Sequence, residues 1–134
     1  MNFRLQARNL VFWNAAWQRW VLVGWVLVVI AVGVGSVVPG AGPPVPWSSP
    51  YYTHFFAYGF LALVPVALNP RAVLAGVIII GLSAYGGAIE IIQHFLPHRF
   101  GSWADAGVNF LGAATGAMIG LGIGMTRVMR RIQV

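Results

Sequence analysis

The sequence predicts an all-α, polytopic membrane protein: an up-down four-helix transmembrane bundle, N-in/C-in, with a short N-terminal interfacial helix. Three observations carry that expectation. Of 134 residues, 59% are hydrophobic and only 7% charged. A soluble domain has about 25% charged residues, so no water-facing surface can be assembled from this composition. The apolar residues also gather into four long runs, and the basic residues lie almost entirely at one end of them. Disorder is excluded, since it needs low hydrophobicity and high charge.

A spanning helix needs about 20 predominantly apolar residues, because the hydrocarbon core is about 30 Å thick and a helix rises about 1.5 Å per residue. Residues 1–19 form a cytoplasmic and interfacial segment; Trp13 and Trp17 within it and Trp20 directly after it recur at helical spacing, as in an aromatic belt at the headgroups. The transmembrane domain covers 20–126. Its first span, about 20–38, is Val-rich and closed by Pro39 and Gly40. Its apolar run exceeds the roughly 7–15 residues of a signal-peptide core, so it reads as a span and not as a cleaved leader. The stretch from Pro39 to Pro50 holds five Pro and no charge, which predicts a stiff, extended external loop. The second span, about 52–68, stops at Asn69 and Pro70. The third, about 72–95, ends before Pro97, and the fourth, about 102–125, runs up to the basic tail 127–134. Short alternating segments, the mark of a β-barrel, are missing.

Direction follows from charge. Arg4, Arg8, Arg19, Arg71, Arg127, Arg130 and Arg131 fall on one side of such a bundle, and Arg99 falls on the other. The positive-inside rule makes the Arg-rich side cytoplasmic. The formal charge of +6 is thus explained by membrane orientation and implies no nucleic-acid partner. There is no Cys, so thiolate chemistry and sulfur-ligated metals are excluded.

Ionisable groups inside a span are costly and tend to be functional. The two carboxylates are Glu90, late in the third span, and Asp105, in the first turn of the fourth. A short hairpin brings those helix ends to one face, where His54, Gln93, His94, His98, Arg99 and Asn109 also belong. At about 100° per residue, Ser83, Gly86, Gly87, Glu90 and His94 share a face of the third span. Asp105, Asn109, Gly112 and Gly116 form a stripe on the fourth, which Gly120 and Gly124 extend as overlapping small-xxx-small repeats suited to close packing. Tyr58 lies one turn from His54. A polar pocket between the second, third and fourth spans is the expectation.

Each residue also has a plainer reading. Ser102 and Asp105 have the spacing of a capping box. Glu90 can pair with Arg99 to lock the hairpin, and the glycines can serve packing alone. If the pocket is chemical, Arg99 offers a planar fork for phosphate or carboxylate. His54 is then the acid or base, Glu90 a proton-transfer group, and Asp105, Gln93 and Asn109 the orienting groups. There is no evident nucleophile, so whether the chain is an enzyme stays open. Two carboxylates with a His could hold a divalent metal through oxygen and imidazole ligands, but no recognised metal-ligand spacing occurs, and no metal or cofactor is expected.

The segments HFFAYGFL at 54–61, EIIQHFLPHR at 90–99 and DAGVNFLGAATG at 105–116 carry a further signal. In them the chain resembles the VanZ-like family of small polytopic membrane proteins, whose pattern it matches at His54, Glu90, Gln93, Pro97, Arg99, Asp105, Asn109, Gly112 and Gly116. It departs from that pattern at Pro50 and Tyr51, where family members often carry an Asp-Lys pair. The resemblance implies a place in the bacterial cytoplasmic membrane and work at its outer face, in a role of the teicoplanin-resistance type. The expected activity is binding or acting on an anionic envelope lipid or lipid-linked precursor, with membrane lipids as partners. The alternative is a non-catalytic accessory or assembly subunit in a larger membrane complex or homo-oligomer, with the glycine stripe as its docking face.

Overall fold

The fold is known from a computed structural model, which describes residues 3–38, 50–97 and 101–132, with side chains over 16–38, 51–97 and 101–130. Those residues form four helices and no strand: α1 (Phe3–Val37), α2 (Pro50–Leu68), α3 (Ala72–His94) and α4 (Trp103–Ile132). Each is long and apolar enough to cross a membrane. Where the sequence suggested an interfacial helix followed by a span, α1 runs as one continuous 35-residue helix, whose apolar stretch begins at Ala16. Helix α4 likewise continues past Met125 to Ile132, because Arg is a good helix former and favours the C-terminal end of the helix dipole. The Pro-rich linker 39–49 lies outside the described residues.

The punctuation acts as the sequence suggests at Asn69, Pro70 and Ser102, while Pro50, expected in the loop, instead begins a helix. Helix α2 opens on Pro50, a residue suited to a first turn because its missing N–H would have no intrahelical partner. It closes at Leu68, and the chain turns through Asn69 and Pro70, with the Arg71 N–H donating to the Asn69 carbonyl at 2.8 Å. Ser102 caps α4: its Oγ accepts from the Asp105 N–H at 3.3 Å.

Close contacts fix the directions of the helices. Cβ atoms built on Gly112, Gly116 and Gly120 would strike the carbonyls of Phe55, Gly59 and Leu63, so α2 and α4 run parallel with one glycine per turn against the partner backbone. Helix α3 runs antiparallel to both. Helix α1 parallels α3, bound through Tyr85 Oη to the Val29 carbonyl at 2.8 Å and Gln93 Nε2 to the Ser36 carbonyl at 2.8 Å. The arrangement is not a square of four equivalent helices. Parallel α2 and α4 make the most extensive contact, α3 closes the trio, and among the described residues α1 packs on α2 and α3.

Small residues make this possible. Ala62, Ala75, Ala113 and Ala117 are buried with Tyr58, Leu61, Val66 and Leu82, while Leu27, Ile30, Phe56, Phe60, Val73, Ile80, Leu111 and Met118 point outward. Small residues inside and large apolar ones outside is the packing of helices in lipid, where close backbone approach drives association. Pro65 sits within α2 and has no N–H for the Leu61 carbonyl. The indole N–H of Trp25 donates to that carbonyl at 2.7 Å, repairing the gap and fastening α1 to α2.

Candidate functional site

The site lies at the end of the bundle where α2 and α4 begin and α3 finishes. His54 stands one turn into α2, Glu90 one turn from the end of α3, and Asp105 in the first turn of α4. Each offers a ligand-type atom, and these three atoms all lie within 4.8 Å of one another. The set is sheltered: Glu90 is 6% exposed, Asn109 1% exposed, and His54 and Asp105 are half-buried.

Supporting bonds fix each group. His54 Nδ1 and Asn109 Oδ1 are 3.0 Å apart. With the amide oxygen accepting, His54 carries its proton on Nδ1 and keeps the Nε2 lone pair. Tyr58, one turn on, holds its ring 14° from the plane of the imidazole at a centroid distance of 6.5 Å. Glu90 Oε2 accepts from the Ser102 backbone N–H at 2.8 Å. Glu90 therefore takes the amide that Asp105 would bond in a reciprocal capping box. The serine half of the box forms and the acidic half is replaced from α3. Glu90 Oε1, Asp105 Oδ1 and Asn109 Nδ2 are buried and have no hydrogen-bond partner among the described residues.

Two glycines make room. A Cβ at Gly86 would stand 2.7 Å from Asn109 Nδ2 and 3.0 Å from the Tyr58 hydroxyl, and one at Gly101 would strike the Glu90 carbonyl. The absence of side chains at 86 and 101 lets α4 and its leading turn approach α3 closely. Beside the cluster lies a cavity of about 320 Å³, walled by Glu90, Ile91, His94, Phe95, Ser102 and Trp103 among others. Glu90 belongs to both, whereas His54 and Asp105 do not line the cavity.

The structure brings together His54, Tyr58, Glu90, Asp105 and Asn109 and places other expected residues elsewhere. Gln93 directs its amide to the Ser36 carbonyl in the last turn of α1, so it ties two helices instead of orienting the cluster. His94 is exposed and edges against Phe95. Ser83 Oγ is buried without a partner among the described residues, deeper along α3. Arg99 and His98 lie outside the described residues, as does the expected Glu90–Arg99 pairing. Gly112, Gly116, Gly120 and Gly124 all face α2, or the turn that follows it. The stripe packs within the chain. The sequence overlooked Gly101 and the role of the Ser102 amide. A glycine directly before a serine cap was the available signal.

Fold and site together define a class: an all-helical bundle of four helices, each long and apolar enough to cross a membrane, with a sheltered acid–imidazole cluster at a helix-end junction among the described residues. No family model, curated protein or solved structure matches the chain.

Proposed function

We propose that this chain is a multi-pass protein of the bacterial cytoplasmic membrane, N-in/C-in, related to the VanZ-like family. Its pocket at the outer face binds the anionic headgroup of an envelope lipid or lipid-linked precursor. The observation that carries this reading is the meeting of His54, Glu90 and Asp105, from three different helices, within 4.8 Å of one another at one end of an otherwise apolar bundle. Packing alone does not call for three ionisable groups in such a place, since each adds a desolvation cost. Exposed Arg71, Arg127 and Arg130 lie at the opposite end, which favours that end as the cytoplasmic one. The cavity next to Glu90, with Phe95 and Trp103 on its wall, suits a ligand that is polar at one point and apolar along its length. Arg99, by its sequence position, supplies the fixed positive charge for a phosphate.

The test is binding of phosphate-headgroup lipids to purified protein in nanodiscs, alongside teicoplanin susceptibility of cells expressing it, for wild type and for Glu90→Gln, Asp105→Asn and Arg99→Ala. The reading expects each variant to fold and to lose lipid binding. Normal yield with unchanged binding and susceptibility in all three overturns it.

A further inference from the structure

We infer that His54, Glu90 and Asp105 form a binding site for one divalent first-row cation of the Mn²⁺ or Zn²⁺ type. No local sequence spacing announces it, because each ligand comes from a different helix. The three donor atoms lie within 4.8 Å of one another. Ligands bound at about 2.0–2.2 Å to a single ion stand about 3–4 Å apart, so side-chain adjustment alone closes the set around a cation. One imidazole nitrogen with two carboxylates is a donor set that first-row divalent ions accept.

An independent observation points to an unmet demand for positive charge among the described residues. Glu90 is 6% exposed, and among the described residues its Oε1 has no hydrogen-bond donor; Asp105 Oδ1 is buried in the same condition. Two neighbouring carboxylates with orphaned oxygens are unfavourable in a low-dielectric setting unless a charge of opposite sign joins them. A 2+ ion cancels both charges, leaving a neutral assembly with the imidazole.

The supporting bonds have the pattern seen around metal ligands, in which each ligand is held through its other atom. His54 Nδ1 meets Asn109 Oδ1 at 3.0 Å, which leaves Nε2 for the ion. Glu90 Oε2 takes the Ser102 N–H at 2.8 Å, which leaves Oε1. Three protein ligands leave coordination positions open for water or an anion. This site does not rest on the lipid reading, because ion binding is measured without added lipid.

The experiment uses the full-length protein without an affinity tag, purified in detergent and stripped with chelator. It is titrated with Mn²⁺ and followed by electron paramagnetic resonance, with bound metal per chain measured by mass spectrometry. The expected result is one Mn²⁺ per chain, displaced by Zn²⁺, with pulsed spectra showing coupling to a single imidazole nitrogen. Glu90→Gln and Asp105→Asn each weaken binding by at least about tenfold, while Gln93→Ala, which alters only the tie to α1, leaves it unchanged. Absence of saturable binding up to millimolar Mn²⁺ overturns the proposal, as does bound Mn²⁺ without nitrogen coupling. Equal affinity in folded Glu90→Gln does so too. The nitrogen coupling is read on wild type, so the test stands even where a variant fails to fold.

Discussion

The indole N–H of Trp25 donates to the carbonyl of Leu61 at 2.7 Å, the acceptor that Pro65, four residues on, cannot serve from within α2. A helix interrupted by proline inside an apolar phase leaves a carbonyl with no water to turn to. Trp25→Phe keeps the aromatic bulk and removes the donor. It is expected to cost about 1–2 kcal/mol, read by unfolding in mixed micelles. Pro65→Ala restores the α2 amide, so Trp25→Phe in that background is expected to cost far less. Equal costs in both backgrounds would show that the indole acts through packing alone.

The contact between α2 and α4 yields a second prediction. A Cβ at Gly116 would collide with the Gly59 carbonyl, whereas one at Gly122 meets nothing within 4 Å. Gly116→Ala is expected to destabilise the fold by about 1–3 kcal/mol, since rigid backbone must move apart. Gly122→Ala, on the outer surface of the same helix, is expected to be neutral or slightly stabilising because alanine is the better helix former. Parallel thermal unfolding of the two variants decides the matter.

Gly86 tests the pocket without touching a charged group. A methyl group there lies 2.7 Å from Asn109 Nδ2 and 3.0 Å from the Tyr58 hydroxyl. The Asn109 amide is the end of a side chain that can shift, but the buried Tyr58 ring also stands 3.1 Å away, so a moderate loss of stability is expected. The shift moves Asn109 away from His54. Gly86→Ala is therefore expected to lower Mn²⁺ affinity by about tenfold while the protein remains folded. Full affinity in this variant would show that Asn109 does not orient the imidazole.

Gln93 separates the role of a polar residue in the fold from a role in the pocket. Its amide serves the Ser36 carbonyl at 2.8 Å, in the last turn of α1, where helix carbonyls lack intrahelical partners. Gln93→Ala is expected to cost about 1 kcal/mol and to raise hydrogen exchange at the end of α1. Unchanged exchange there would remove the tie from the account.

By itself the sequence determined that the chain is helical, how many apolar helices it makes, and nearly where α2 and α3 begin and end. These are local matters: run length against hydrocarbon thickness, proline's missing donor, the capping geometry of Ser102. Helical spacing also put Glu90, Asp105, Asn109 and the four glycines on the faces that meet, because faces follow from the angle per residue. Tertiary structure alone decided which partners those faces found. Gln93 sits three residues after Glu90 yet is spent on α1. Glu90, not Asp105, takes the Ser102 amide, which frees Asp105 for the cluster. The glycine stripe closes on α2 within the same chain. Pairing between residues on different helices depends on how close two backbones come, and that distance is set by packing of the whole bundle. The spacing of His54, Glu90 and Asp105 is a consequence of that packing, which no single segment of the sequence contains.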